Sequence, residues 1–445
     1  MATKKLRPRA TVRRGTAVLA AVSALAILAG CSATSDSGSS SDSGTPSGTL
    51  QVLVSSADAS DAAFRAINKS FEAKYPKVKV VFSTISNDKY PAAESSRLTA
   101  GNVDVLVAKP VQVPSYAKDS EADDARLAES GSFIDLTKQS FMKNYTPSVL
   151  SSIAFKGKQY TIPTGISYET GVYYNKDIFK KYGIDVPTTW SEFEKVADTL
   201  KSDGVTPLGI GGKDSWPAGL PMLAAVQGQY PTTADKEGVA KNLWNQKTKL
   251  TDAKPQAILD TTEKVFGYAQ QNFAGVPYSA TPGAFAAGQY AMTPDGTWNY
   301  PTIASAVASK FDIGYFPLPT SDTAANNQYL TGKVELRLAA ASSTKNKTAA
   351  LAYLKFFSDP TNYKTFVKLS GFAPAEPNIP SGDFLDSISQ YTKKFVPAWD
   401  QIWVANTKAG NAALFPFNYV SLTPMGTDSA KAAAQQAQQD WAAAF

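Results

Sequence analysis

The sequence predicts an α/β protein with a mostly parallel, doubly wound sheet, and three observations support this. TLQVLVSS (49–56) and KVKVVFST (77–84) have the composition of strands, a helical pattern lies between them, and VDVLVAK (103–109) follows as a third, continuously apolar run. Between the first two runs Phe64, Ile67, Phe71 and Tyr75 recur at spacings of three, four and four, which lays one apolar stripe along a helix. A second helical stretch covers residues 90–100, and the unbroken apolar run after it suits a strand buried on both faces. The order is therefore βαβαβ. Ligands of such sheets bind beyond the carboxyl ends of the strands, positions held here by Ser55, Ser56 and Asp58 after the first strand and Lys109 after the third. Ordinary loop polarity accounts for these four residues equally well.

The rest of the chain carries further signals. PTTWSEFEKVADTLKSDG (187–204) has Thr189 and Glu192 in a capping box, Trp190, Phe193, Ala197 and Leu200 along one face, and Gly204 as a stop. GVTPLGIGG after it reads as a strand, and KDSWPAG as a loop with an aromatic tip at Trp216. AMTPDGTWNYP (291–301) places Trp298 and Tyr300 just past a Pro-Asp-Gly turn, so the rings either fold into a core or form a platform for a ligand. GKVELRLAAA (332–341) reads as one apolar strand with Glu335 and Arg337 on the same face, in an ion pair with other partners or in contact with a ligand. AALAYLKFFSDP (349–360) is an amphipathic helix ended at Pro360. Trp399 and Trp403, four apart, share a helix face with core packing expected for at least one, and the Ala- and Gln-rich end is helical. No internal repeat and no Gly-rich phosphate loop is found.

Composition narrows the function. At 445 residues, 43% hydrophobic and 18% charged, the chain suffices for about two globular domains. Lys4, Lys5, Arg7, Arg9, Arg13 and Arg14 fall within the first 30 residues, which hold no acid, so beyond them 38 basic residues face 38 acidic ones. A balanced surface gives no support for nucleic-acid binding. The sequence contains no histidine and one cysteine, Cys31, which removes Ser-His and Cys-His catalysis, His or thiolate metal sites and internal disulfides. No cofactor or metal is expected.

The basic start leads into GTAVLAAVSALAILAGC, an apolar stretch shorter than the ~20 residues of a membrane-spanning helix, and reads as a signal peptide over residues 1–30. Leu28-Ala29-Gly30-Cys31 resembles the bacterial lipobox, which implies cleavage before Cys31 and lipidation of its sulfur. Arg13-Arg14 hints at twin-arginine export, but Gly15-Thr16-Ala17 lacks the bulky apolar residue of that signal and favours the Sec route. SATSDSGSSSDSGTPSG (32–48) has no residue able to build a core, so residues 31–48 are expected to be a flexible tether. Its root-mean-square span is roughly 20 to 25 Å, enough to hold a domain off a membrane surface.

YYNKDIFKKYGIDVPTTWSEF (173–193), FAAGQYAMTPDGTW (285–298) and SSTKNKTAALAYLKFFSDP (342–360) resemble, in this order, segments of the extracellular solute-binding proteins of ABC importers, the family that includes maltose-binding protein. The resemblance, with the lipobox, covers most of residues 49–445. It implies two α/β lobes, one at about 49–165 plus 315–360 and the other at about 166–314 plus 361–445, joined by a hinge that the chain crosses several times, with ligand held between them. It also implies a monomer that delivers solute to membrane permease subunits from outside the cytoplasm.

Matching residue by residue, the Gly-x-Trp segment sets Trp298 facing the cleft, where an indole losing on the order of 80 Å² of apolar surface to a ligand contributes roughly 2 kcal/mol. GGKDSWP supplies Asp214 and Trp216, and GISYETGVYYN supplies Tyr168 and Glu169 beside a hinge crossing. Carboxylates accept paired hydrogen bonds from hydroxyls while rings cover apolar sugar faces. Each has a plainer reading: Trp216 in the core, Asp214 as a turn former, Glu169 as a solvated charge. The chain departs from the family's sugar binders where they place aromatics after the first and third strands, reading Ser55-Ser56-Ala57-Asp58 and Ala108-Lys109-Pro110, and Val103 replaces the usual Pro before Asp104.

The expected function is thus a lipid-anchored binding protein for an oligosaccharide or sugar derivative, with Asp295 and Trp403 added as ligand candidates. A second reading keeps the fold and changes the cargo to an amino acid, peptide or polyamine, with Lys109 or Arg337 meeting an acidic ligand. A third is an exported glycosidase using a carboxylate pair such as Asp214 and Asp295, chemistry that needs no histidine.

Overall fold

The computed structural model describes residues 44–55, 58–87, 89–117, 120, 123–410 and 416–445. The lipobox with Cys31, Ser56 and the side chain of Asp58 lie outside the described residues. In chain order the strands are β1 (Gly48–Ser55), β2 (Val78–Ile85), β3 (Val105–Val107), β4 (Thr161–Ile162), β5 (Gly165–Tyr168), β6 (Gly171–Asn175), β7 (Met292–Pro294), β8 (Ile313–Pro317), β9 (Thr331–Glu335), β10 (Leu338–Ala340) and β11 (Val396–Pro397).

The amino-terminal βαβαβ unit forms as its pattern dictates. β1 runs parallel to β2 and to β3, with Val52 opposite Val105, and Leu50, Val52, Leu53 and Val54 are all buried because the sheet is covered on both faces. On the helix Asp58–Lys74, Phe64, Ile67 and Phe71 enter the core, and the helix Tyr90–Ala100 ends on Gly101 in the left-handed region. β10 and β4 complete the sheet in antiparallel fashion, giving the order β2-β1-β3-β10-β4. A second sheet has the order β7-β6-β8, and a third, β11-β9-β5, lies along the chain crossings. The molecule is two-lobed, mixed α/β throughout.

Several expectations change at the joints. Residues 332–341 are not one strand: β9 pairs with β5, and β10 pairs with β3 and β4 in a different sheet. The break falls at Leu336, whose φ of 36° is costly for a branched side chain and is held only because two sheets capture the chain on either side. Period-two alternation therefore stops between Glu335 and Arg337, although both are buried. The neighbouring crossing from β4 to β5 is tied to it, Thr164 donating through Oγ1 to the Glu335 carbonyl at 3.0 Å.

GVTPLGIGG forms no strand; Leu208 makes only isolated bridges to Ala269 and Met292, since Pro207 has no N–H to extend a ladder and Gly209 is pressed against the Tyr290 ring. The following KDSWPAG loop is two short 3₁₀ turns, Gly212–Asp214 and Trp216–Gly219. Pro360 does more than end the helix Lys347–Phe357: it opens another, Pro360–Ser370, behind an Asp359 cap on the Thr361 N–H. That helix packs on Asp58–Lys74, with Phe64 and Phe366 ring centroids 4.9 Å apart. The capping box of Thr189 and Glu192 is formed as expected, and the helix Trp190–Ser202 buries Trp190, Phe193, Ala197 and Leu200.

Candidate functional site

An aromatic corner forms around the turn after β7. Asp295 follows the strand with its backbone N–H on the Gly171 carbonyl at 3.2 Å, so the turn is anchored to β6, and Gly296 then allows the chain to fold back. A Cβ on Gly296 would lie 2.1 Å from the Trp298 indole, so only glycine leaves room for the ring to lie over its own turn. The indole N–H donates to the Tyr278 hydroxyl at 3.0 Å, and that hydroxyl donates to Asp295 Oδ1 at 3.0 Å. Asp295 also accepts from the Gly296 N–H at 2.8 Å and, through Oδ2, from Asn299 Nδ2 at 2.6 Å. Trp216 closes the corner with its ring 4.6 Å from Tyr278 and 6.0 Å from Trp298.

Trp298 is only 9% exposed while Trp216 is half-buried, so Trp216 is the more open of the two indoles. Burial pushes the Asp295 carboxyl up to about 7, against the pull of its Asn299, Gly296 and Tyr278 donors. Asp214 stays exposed and accepts from the Tyr278 backbone N–H at 2.7 Å, which fixes that segment from the other side. The two carboxylates proposed as an acid and nucleophile are thus both engaged with Tyr278.

A charged cluster adjoins this corner along β9. The Lys333 ammonium lies 5.2 Å from the centre of the Trp298 ring, within reach of a cation–π attraction. It also sits 2.7 Å from Glu169, 3.4 Å from Asp400 and 3.8 Å from Glu335. Burial alone would lower its pKa, but Glu169, Asp400 and Glu335 together outweigh burial and hold it well above the lysine value. Glu169 is raised to about 8, by burial first and by Asp400 second, whereas at Asp400 burial is outweighed by Lys333, Glu169 and Lys109 together and the carboxyl is lowered. Each of these acids keeps one buried oxygen with no hydrogen-bond partner. Glu335 accepts from the Ser167 hydroxyl at 2.5 Å.

Arg337 and Lys109 stand where β9 hands over to β10. The Ala108 N–H donates to the Arg337 carbonyl at 2.8 Å, and the Lys109 N–H to the Asp124 carboxylate. Lys109 is exposed, and the protein around it lowers its pKa by burial against the opposing pull of Glu335. Arg337 is lowered to about 10 by burial, with Asp124 and Glu335 opposing, and its Nε has no partner. On the helix Tyr90–Ala100, buried Glu94 is pushed up to about 9 by burial and by Asp124.

The structure thus brings together Trp216, Trp298, Asp214 and Asp295 in the corner, and Glu169, Glu335, Arg337 and Lys109 around the charged cluster. Tyr168 borders the corner through its N–H on Thr297 Oγ1 at 3.1 Å, its ring lying against Gly332. Trp403 is elsewhere: it stacks on Trp399 with centroids 5.3 Å apart, beside Trp441 at 5.2 Å, in an aromatic core. Sequence reasoning missed Tyr278, Asn299, Lys333, Asp400, Glu94 and Asp124. Lys333 had a signal, since Lys333, Glu335 and Arg337 repeat every second residue through an apolar run; Tyr278 and Asp400 had none. Two surface hollows, of about 460 Å³ beside Tyr230 and Asp252 and about 220 Å³ beside Lys201 and Gln270, contain none of these residues.

Comparison with known proteins agrees with this architecture. The family model described as bacterial extracellular solute-binding protein matches residues 55–364. The multiple sugar-binding protein of Streptococcus mutans is 25% identical over 325 residues, 70% of this chain and 71% of that protein. An ABC transporter extracellular-binding protein of Pyrococcus horikoshii is 25% identical over 360 residues, 77% of this chain and 76% of that one. Among solved structures, SBP RafE in complex with raffinose matches with a TM-score of 0.71 and 23% identity, covering 89% of this chain and 99% of that one. A sugar transporter from Bacillus licheniformis in complex with stachyose matches with a TM-score of 0.69 and 17% identity, over 89% and 100% of the two chains. At these identities the structural matches show a shared fold.

Proposed function

The chain belongs to the bacterial extracellular solute-binding protein family, and from that premise we propose that it captures an oligosaccharide or sugar derivative and passes it to the permease of an ABC importer. The observation that carries the reading is the placement of two indoles and a tyrosine ring directly against a cluster of carboxylates and ammonium groups. Sugars offer an apolar face to rings and a rim of hydroxyls to charged acceptors, and this corner meets both. The relatives' own names point the same way, one being a multiple sugar-binding protein and two of the solved neighbours holding raffinose and stachyose.

Charge balance favours a neutral cargo over an amino acid, peptide or polyamine. Lys333 is ringed by Glu169, Glu335 and Asp400, while Asp124 and Glu335 oppose burial at Arg337 and Glu335 and Asp400 oppose it at Lys109, so acids offset the cations that face the corner. Asp214, Trp216, Tyr168, Glu169, Trp298, Lys109, Glu335 and Arg337 remain the proposed site, with buried Asp295 behind it, without catalysis. In our reading one lobe comprises the β2-β1-β3-β10-β4 sheet with the helices Lys347–Phe357 and Pro360–Ser370, so the return crossing comes at Leu336, later than residue 315, and the last crossing follows Ser370. Closure about these crossings would shut the lobes on the ligand, and the loaded form would be the one the permease prefers. No described helix is long and apolar enough to cross a membrane, and attachment through lipidated Cys31 is the anchor we propose.

A thermal-shift panel of raffinose, stachyose, amino acids and polyamines tests the reading. A ligand at ~100 times its dissociation constant adds roughly 2.7 kcal/mol, a shift of several degrees. A response to one sugar series is expected. A response confined to charged solutes would overturn the carbohydrate reading and leave the fold intact.

A further inference from the structure

The hydrogen bonds in the aromatic corner form a directed chain. The Trp298 N–H donates to the Tyr278 hydroxyl, and with its acceptor side thus used the hydroxyl donates its own proton to Asp295 Oδ1; both distances are 3.0 Å. Asp295 is 1% exposed and receives two further donors, from Gly296 and Asn299. A buried carboxylate with three donors is expensive to desolvate, and its backbone is already secured by the Gly171 carbonyl, so folding alone does not require the charge. What the charge does is fix the direction of the Tyr278 hydroxyl, since a hydroxyl facing an acceptor-only group must donate to it and can then only accept from the indole.

We propose that Asp295, acting through Tyr278, is a positioning residue that fixes the angle of the Trp298 indole at which a sugar ring stacks, and is not itself a ligand contact. The assignment of sugar rests on the function proposed above; the positioning of the indole does not. Asp214 supports the same relay by holding the Tyr278 backbone, and Trp216 supports the ring of Tyr278 from the side. Several groups among the described residues face the relay. Tyr173 donates to the Gly296 carbonyl at 3.0 Å and Tyr315 to the Asp295 carbonyl at 2.8 Å, Tyr290 lies near the carboxyl, and Lys333 with Glu169, Glu335 and Asp400 faces the indole. The tyrosines are raised above their usual value by burial and stay neutral, and Lys333 is held charged, so the Asp295 carboxyl, at about 7, is the member of the relay itself that changes charge near neutrality.

The test is fluorine NMR of the full protein labelled with 5-fluorotryptophan, free of ligand, from pH 5 to 9, with the Trp298 resonance identified by its loss in Trp298→Phe. In the wild type that resonance should move with a midpoint near 7. In Asp295→Asn and in Tyr278→Phe it should be displaced and lose that movement, while the resonances of Trp244, Trp399, Trp403 and Trp441, which pack on one another, keep their positions. A Trp298 resonance in either variant that stays in place and still titrates near 7 overturns the proposal. Titration with raffinose and stachyose then reads the consequence. Tyr278→Phe, which keeps the ring against Trp216, should weaken sugar binding about five- to tenfold, the effect of one lost polar contact. Wild-type affinity should rise through pH 7 as the relay ionises, and Asp295→Asn should be flat. Unchanged affinity in both variants would overturn the role in stacking. If the wild type binds neither sugar, it is the carbohydrate reading that falls, and the ligand-free spectra still decide the relay.

Discussion

Two groups of tryptophans in this chain differ in what holds them. Trp244, Trp399, Trp403 and Trp441 pack on one another with centroids 5.2 to 6.5 Å apart, and the indoles of Trp244 and Trp441 donate to the carbonyls of Val404 and Leu243 at 3.0 Å. Trp216 and Trp298 are also neighbours, at 6.0 Å, but the Trp298 indole donates to a side chain, Tyr278, that is itself held by a buried acid. Ring contacts alone would rank the two groups alike. The acceptor separates them: a backbone carbonyl fixed by the main chain leaves the ring angle to packing, whereas a hydroxyl held by a carboxylate makes the angle a property of a polar network that a ligand or a proton can change.

The largest effect should come from the packed group. Trp441 is 1% exposed, and Trp441→Ala removes a ring from the centre of the cluster at a cost of ~3–5 kcal/mol. Urea unfolding should report this loss while sugar affinity per folded molecule stays at the wild-type value. Reduced affinity would mean that the two groups are coupled. Trp298→Ala should show the reverse balance: the indole is only 9% exposed, so the direct contact it can add is small, and an affinity loss of about tenfold, roughly 1.4 kcal/mol, by calorimetry is expected as the corner collapses around the missing ring, with a smaller loss of stability than Trp441→Ala. Equal affinity in the two variants would abolish the distinction drawn here.

Much of this could be read in advance, and the reason for each miss is physical. The βαβαβ half was legible because its signals are local: apolar runs for β1 to β3, a 3.6-residue stripe at Phe64, Ile67 and Phe71, and the capping box at Thr189. The break at Leu336 was not, because neither glycine nor proline marks it; the left-handed residue is imposed by two sheets pulling the chain apart. Trp298 was singled out through its segment, but Tyr278, its hydrogen-bond acceptor, lies 20 residues earlier in a connection whose sequence carries no pattern. Lys333 was visible as the first of three alternating charges, while Asp400 reaches it only through the pairing of β11 with β9.

Gly296 offers a smaller and more selective perturbation. Its φ of −87° and ψ of 166° are open to any residue, so Gly296→Ala strains no backbone and acts only by placing a methyl where the Trp298 ring lies. Displacing the ring should lower sugar affinity about fivefold, or ~1 kcal/mol, and leave the packed group untouched. Near-ultraviolet circular dichroism before and after sugar addition checks this, and a spectrum and affinity identical to wild type would show that the ring tolerates displacement.

The effect that most sharply divides the two groups is the one that depends on pH. Burial raises the Asp295 carboxyl from 3.8 to about 7 in the folded protein. Below the unfolded value both states hold the proton and no stability is lost. Between about 4 and about 7 the unfolded chain releases a proton that the folded chain retains, so stability falls as pH rises, and above that range the loss is constant. Glu169, raised to about 8, tilts the wild-type curve the same way, so the informative quantity is the difference from Asp295→Asn, which carries no proton to lose. That variant should gain on the wild type as pH rises from 4 to 7 in urea unfolding, whereas the deficit of Trp441→Ala should be the same at every pH. Sugar affinity moves in the opposite sense, increasing as Asp295 ionises, so the state that binds best is the one the fold tolerates least. A pH-independent difference for Asp295→Asn would place the carboxylate among inert core groups and remove the contrast with the packed tryptophans.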